Sequence, residues 1–266
     1  MSTKGKVGAR IRRAVAVVVH PWATEIRNEI AAMRAELRDT REALLTEIKA
    51  SETRHRRGIF YAADVRAAAE TERFVAAHLI RARPLSSPRA TLEHALDLVS
   101  VEGMALEFGV ASGTTLRVIV EGLPGREIFG FDVFTGLPED WRPRFAQGTF
   151  AQQAIPEVPG ATLVEGLFED TLPSFLEDHS ADVAFIHLDA DLYSSTKTVL
   201  DLLGDRLVPG TIVLFDEYFN YHGWEDGEYR AWEEFATKNE IRYEYLAFSR
   251  NDEQVVLAIT GRGFEG

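Results

Sequence analysis

The sequence predicts an α/β protein: a Rossmann-like, mainly parallel sheet finished by a C-terminal antiparallel hairpin and preceded by an N-terminal helical extension. Three observations carry this. From residue 84 onward, short apolar runs alternate with amphipathic stretches, the pattern of strands buried on both faces between covering helices. Two β-rich runs, residues 241–248 and 254–260, are separated by a short turn at residues 249–252. Residues 23–57 hold no Gly or Pro and carry apolar residues at near 4–3 spacing.

Composition sets the limits. The chain has 266 residues, 45% hydrophobic and 27% charged, which excludes a wholly disordered protein, a collagen-like repeat and a small disulfide scaffold. It has no Cys, so disulfides, thiolate metal sites and a cysteine nucleophile are excluded, and a reducing cytoplasm is the expected location. The formal charge of −13 is unevenly spread. Residues 1–57 hold 13 Lys and Arg against 7 Asp and Glu, and the rest of the chain holds 16 against 35. An acidic body repels phosphates, which argues against a nucleic-acid substrate.

Residues 1–22 read as a basic arm. Its apolar run, residues 14–19, ends at His20-Pro21-Trp22. Six residues fall short of the roughly 7–15 of a signal core and the roughly 20 of a spanning helix. A disordered or weakly helical tail is one reading, and weak contact with an anionic membrane surface is the other. Residues 23–83 read as a helical extension. Ile26, Ile30, Met33, Leu37, Leu44 and Ile48 form a seam that Thr40 and Glu47 interrupt, so a short coiled coil, and with it a homo-oligomer, is expected alongside the alternative of a helix lying on its own domain.

Residues 84–266 form the expected catalytic domain. Ser87-Pro88 marks a helix start, and Leu92, Ala95, Leu96 and Val99 give that helix an apolar face. Strands are expected at residues 104–109, 127–132, 161–165, 182–189 and 211–216. Helices are expected at residues 114–121, 171–178, 194–203 and 228–238. Ligands of such sheets sit beyond the carboxyl ends of the strands.

The first of these strands runs into Glu107-Phe108-Gly109-Val110-Ala111-Ser112-Gly113-Thr114. This is E-x-G-x-x-x-G rather than the G-x-G-x-x-G of a dinucleotide site, which disfavours a dehydrogenase. Gly109 and Gly113 allow a tight turn and close approach of a ligand, Ser112 and Thr114 offer hydroxyls at a helix start to a carboxylate, and Glu107 can accept from an ammonium. Asp132, ending the second strand one βαβ step later, can accept ribose hydroxyls. An amino-acid-bearing nucleoside fits these groups.

With these two signals in register, the chain resembles the class I S-adenosylmethionine (SAM)-dependent methyltransferases. Three further segments, Asp132-Val133-Phe134-Thr135-Gly136-Leu137-Pro138, Gly166-Leu167-Phe168-Glu169-Asp170-Thr171-Leu172-Pro173 and Ile186-His187-Leu188-Asp189-Ala190-Asp191-Leu192-Tyr193, resemble the macrocin O-methyltransferase family over about residues 90–260. The resemblance implies SAM as cofactor, with Val133, Phe168 and Glu169 joining the cofactor site. It also implies O-methylation of a sugar or other small-molecule hydroxyl, often with a divalent metal. A phenolic or catechol-like acceptor and a non-catalytic SAM-binding scaffold are the alternatives.

Asp189 and Asp216-Glu217 end the fourth and fifth strands, and several carboxylates at one edge suit Mg²⁺. Asp191 is a spare ligand, and helix capping by Asp191 or Ser194 is the structural alternative. The family usually places Asp or Asn where Glu217 stands. Asp189 and His222 are the expected catalytic residues, His222 as the leading base because it closely follows the Asp216-Glu217 pair. His187 reads as a core residue on the same strand face as Asp189. Trp141, Phe145 and Phe150 suit a sugar-stacking loop or lid.

Overall fold

The computed structural model describes residues 3–263; residues 1–2 and 264–266, at the outer ends of the expected arm and domain, lie outside it. The chain divides into two compact units, Met1–Ala62 and Ala63–Gly266. The first unit holds α1 (Thr3–Arg57), a single helix of 55 residues. The expected arm and the amphipathic segment are therefore one element, and Pro21 does not end it. A proline inside a helix removes one backbone hydrogen bond without forbidding continuation. Here Thr24 Oγ1 donates to the His20 carbonyl at 2.8 Å just beyond it. A second helix, α2 (Ile59–His78), follows Gly58.

The larger unit is built on an eight-stranded sheet. Its strands are β1 (Arg83–Leu85), β2 (Met104–Phe108), β3 (Ile128–Asp132), β4 (Thr162–Glu165), β5 (Val183–Leu188), β6 (Leu207–Phe215), β7 (Ile241–Ser249) and β8 (Val255–Arg262), in spatial order β1-β7-β8-β6-β5-β2-β3-β4. Seven strands run parallel, and β8 alone lies antiparallel, between β6 and β7. The helices are α3 (Pro88–Asp97), α4 (Thr114–Gly122), α5 (Phe168–Asp178), α6 (Tyr193–Leu203) and α7 (Glu228–Lys238). Every residue of β2 and β5 is buried, which is why both read as continuous rather than alternating apolar runs.

The two faces of these strands feed two cores. Leu106, Phe108, Ile186, Leu188, Val213 and Phe215 point to one, with Trp232 and Phe235 of α7. Ala105, Phe185, Ile212 and Leu214 point to the other, against Leu92, Ala95, Leu116 and Ile119 of α3 and α4. Helix α3 starts as its sequence signals: Pro88 stands in the first turn and the Ser87 hydroxyl accepts from Ala90 N at 3.3 Å.

Two expectations are corrected and one strand is added. Helix α5 begins at Phe168, three residues early, because the Leu167 carbonyl already accepts from Thr171 N at 3.0 Å. Strand β6 begins at Leu207 rather than residue 211, and β5 runs on to pair with it through Val183↔Leu207. Strand β1 carries no sequence signal: it is three residues long, contains Pro84, and pairs with β7 alone, the edge position where a proline is tolerated.

Candidate active site

The strands β2, β5 and β6 are in register at their carboxyl ends, Phe108↔Leu188↔Phe215. Gly109, Asp189 and Asp216 therefore leave the sheet side by side. Asp189 N donates to the Phe108 carbonyl at 2.9 Å, and Asp216 N to the Leu188 carbonyl at 2.8 Å. Gly109 has φ of 96°, and a Cβ there would overlap the Asp189 carbonyl oxygen. The glycine is demanded by the neighbouring strand as much as by any ligand.

A cavity of about 530 Å³ opens beyond these ends. Of the expected cofactor residues, Gly109, Asp132, Val133, Phe168 and Glu169 line it, as do Asp189 and Glu217 of the acidic set. The loop after β3 adds Gly136, Leu137, Pro138, Glu139 and Phe150, and α6 with the turn before it adds Asp191, Ser194, Ser195 and Thr198. Among the described residues, six carboxylates and no Lys or Arg line the cavity. A pyrophosphate would find no counter-charge there, whereas a cationic sulfonium nucleoside or a metal ion would.

Several expected residues stand elsewhere. Glu107 is fully buried and does not line the cavity. Its Oε1 meets His187 Nδ1 at 2.9 Å across the Glu107↔His187 register of β2 and β5. Ser112 and Thr114 are exposed and share a 2.9 Å hydrogen bond. Gly113 has φ of 74°, and a Cβ there would meet Val158 rather than cavity space. His222 is exposed and does not line the cavity, while its neighbours Tyr221 and Trp224 turn inward and are buried.

Asp132 lines the cavity with its carboxylate already engaged. Oδ2 accepts from Val110 N at 2.9 Å and Ala111 N at 2.7 Å, and Oδ1 accepts from Phe134 N at 2.6 Å. A carboxylate offers about four lone-pair sites. Three are taken, so at most one remains for a ribose hydroxyl, and the residue pins the loops after β2 and β3 together.

The acidic edge differs from the set read in the sequence by one member. One ligand atom each from His187, Asp189 and Asp216 lie within 4.8 Å of one another. His187 Nε2 is buried without a hydrogen bond, 3.6 Å from Asp216 Oδ1. An orphaned imidazole nitrogen facing two carboxylates is a donor set that fits a divalent cation, with the Glu107 carboxylate fixing the ring from behind. Glu217 is buried beside this group, and its Oε2 has no partner.

Charge is distributed accordingly. Burial pushes the Asp189 and Glu217 carboxyls well above the usual range, and the Asp216 charge adds to it. Burial would also raise Asp216, but the nearby His187 imidazole and a 3.0 Å hydrogen bond from Gln254 Nε2 hold it below that range. Burial works against a charge on His187, yet Asp216 and Glu107 outweigh it and raise the imidazole well above its ordinary value. Burial raises Asp191 to about 7.

Two further features escaped the sequence. Glu228 of α7 is fully buried; its Oε2 accepts from Glu217 N at 3.1 Å and its Oε1 from the Thr196 hydroxyl at 3.1 Å, tying the end of β6 to α6. The loop after β3 is clasped at two points. Ser194 Oγ donates to Glu139 at 2.6 Å, so Ser194 is a tie across the cavity rather than a helix cap. Arg142 pairs with Glu253 at 3.2 Å while its guanidinium lies 3.9 Å from the Trp141 ring centre and 4.6 Å from that of Tyr221. Among the aromatic residues expected to stack on a sugar, Phe150 lines the cavity; Trp141 and Phe145 pack around Arg142 instead. An acid adjacent to a hydroxyl-rich helix start, Asp191 to Thr198, was the available signal for α6.

Residues 157–248 match the family model described as macrocin O-methyltransferase (TylF). No curated protein sequence matches the chain. Among solved structures, CalS11, described as a calicheamicin methyltransferase, is 26% identical, with 64% of this chain and 77% of that one covered and a TM-score of 0.51. The O-methyltransferase NovP is 22% identical over 65% of this chain and 79% of its own, also with a TM-score of 0.51, a likeness of fold. No helix among the described residues is long and apolar enough to cross a membrane. Family pattern, fold and strand-end cavity together make this chain a class I SAM-dependent O-methyltransferase, similar over its second half to the macrocin O-methyltransferases.

Proposed function

We propose that the chain methylates a sugar hydroxyl of a neutral saccharide or glycosylated metabolite, with Mg²⁺ bound at the acidic edge. The observation that carries this is the cavity lining: six carboxylates, three α6 hydroxyl groups and no base. Carboxylates accept hydrogen bonds from several sugar hydroxyls at once, and an anionic acceptor would be repelled. The likeness to the macrocin O-methyltransferases supports a sugar or natural-product acceptor. A phenolic acceptor would use the aromatic Phe150 and Phe168 instead, and is the second reading.

When bound, SAM supplies a methyl group on a sulfonium, and Mg²⁺ supplies a Lewis acid that lowers the pKa of a hydroxyl. Asp189, Asp216 and His187 are the residues that would hold the ion, with Glu217 beside them. The chain itself orients the acceptor between α6 and the loop after β3, and that loop keeps water from the reacting hydroxyl. With His222 exposed to solvent, the group placed to hold the acceptor proton is a cavity carboxylate, and Asp191, at 8% exposure, is the one we assign.

Calorimetry with S-adenosylhomocysteine and turnover of labelled SAM on a panel of neutral and phosphorylated sugars test the reading. Neutral acceptors should be methylated, EDTA should abolish turnover with Mg²⁺ restoring it, and Asp189→Asn should lose most turnover while keeping cofactor affinity. Turnover of Asp189→Asn undiminished in EDTA would remove the metal. Cofactor binding without methylation of any acceptor would leave the scaffold reading. We further assign the protein to the cytoplasm, consistent with the absence of Cys, and the seam from Ile26 to Ile48, exposed throughout, to contact with a second copy. Light scattering should report a mass above one chain that falls when Ile30 and Leu37 are changed to Asp.

A further inference from the structure

The amino-terminal part of α1 has a surface unlike the rest of that helix. Residues 1–24 contain Lys4, Lys6, Arg10, Arg12 and Arg13 and no Asp or Glu, whereas bases and acids interleave from Glu25 to Arg57. The same stretch displays Val7, Ile11, Val15, Val18 and Trp22, each between 54% and 74% exposed. At roughly 100° per residue these five fall within an arc of about 80°. Arg10 and Arg12 flank that arc, each about 60° beyond an edge, and Arg13 lies on the opposite face of the helix.

A stripe of this kind needs a cover, and charge selects among the covers. A coiled-coil seam would be narrow, but Val17 and Val19 are 72% and 49% exposed outside the stripe. A parallel second copy would also set one all-basic surface beside another, without the interleaved acids that accompany the Ile26–Ile48 seam. An anionic lipid surface satisfies both features: apolar side chains enter the headgroup boundary, an interfacial Trp sits at its level, and flanking arginines reach the phosphates. We propose that residues 7–22 are a membrane-surface helix selective for anionic phospholipid. It lies on the bilayer rather than crossing it, since no helix among the described residues is long and apolar enough to span. The enzyme would then act beside a lipid surface, with the helix as its reversible attachment.

Sedimentation of the full chain with vesicles tests this. Vesicles of equal parts phosphatidylcholine and phosphatidylglycerol should carry the protein down at low salt and release it at high salt; phosphatidylcholine alone should not. Reversing Arg10→Glu, Arg12→Glu and Arg13→Glu together should weaken binding by on the order of 100-fold or more, from roughly fivefold per basic residue lost near the surface. Val15→Asp with Val18→Asp should abolish it while S-adenosylhomocysteine binding persists, showing that the catalytic unit is folded. Trp22 emission should shift to the blue on vesicles in a difference spectrum against Trp22→Phe. Equal binding to neutral and anionic vesicles, no binding to either, or binding unmoved by the arginine reversals would overturn the proposal. A fall in solution mass on Val15→Asp with Val18→Asp, without vesicle binding by the unmodified chain, would assign the face to a second copy instead.

Discussion

Replacing Asp132 by Ala should damage the fold more than the cofactor affinity. Three backbone N–H groups lose their acceptor, those of Val110, Ala111 and Phe134, now held at 2.9, 2.7 and 2.6 Å. A hydrogen bond to a charged group contributes about 1.5–3 kcal/mol, and an abandoned buried donor costs about 1–3 kcal/mol. Asp132 lines the cavity, so water can reach the freed donors, and the lower end applies: about 1 kcal/mol each, or about 3 kcal/mol in all. For a unit of this size 1 kcal/mol moves Tm by about 2–4 °C, which gives a fall of roughly 6–12 °C. Calorimetric melting of both proteins without ligand measures it directly. Titration with S-adenosylhomocysteine at a temperature where both are folded then measures the loss of a single ribose contact, about 1 kcal/mol. An unchanged Tm combined with a large loss of affinity would refute the argument and return Asp132 to a ligand-binding role alone.

Gly113→Val should destabilise the larger unit by a few kcal/mol, through a strained positive φ and a clash with Val158, while leaving cofactor affinity in the surviving folded fraction within about twofold; selective loss of binding with normal stability would put this glycine at the ligand after all. Glu228 gives a pH signature. Burial raises its carboxyl from 4.5 to about 8, so between those values the folded protein holds a proton that the unfolded chain has lost, and stability falls as pH rises, by up to about 1.4 kcal/mol per pH unit. Glu228→Gln mimics the neutral acid and should flatten that part of the urea-unfolding profile between about pH 5 and 8; parallel profiles for the two proteins would show that Glu228 is ionised in the fold.

The strand ends were legible because each is a short apolar run stopped by a polar or flexible residue: Phe108-Gly109, Phe131-Asp132, Leu188-Asp189, Phe215-Asp216. Local rules of burial and turn chemistry suffice for that. The roles of the charged residues were less legible. Its place at a strand end suggests Glu107 as a partner for a ligand ammonium, but the register of β2 against β5 turns it onto His187. His222 lies five residues beyond Glu217, close enough in sequence to suggest a base, yet the turn after β6 buries Tyr221 and Trp224 and leaves His222 outside. Glu228 opens a helix that is legible in the sequence, yet nothing local shows that its carboxylate reaches Glu217 N.

By itself the sequence determined the alternating α/β order, the strand-end positions of Asp132, Asp189 and Asp216, and the unequal charge of the two halves of α1. These depend on side-chain periodicity and residue type within a few positions of each other. The tertiary structure alone decided that His187, 80 residues from Glu107, is gripped by it and faces Asp216, that Asp132 spends its oxygens on backbone, and that Arg142 and Glu139 fasten the loop over the cavity. Those pairings depend on strand register and loop path, and a single-residue shift of register would turn each side chain to the opposite face of the sheet.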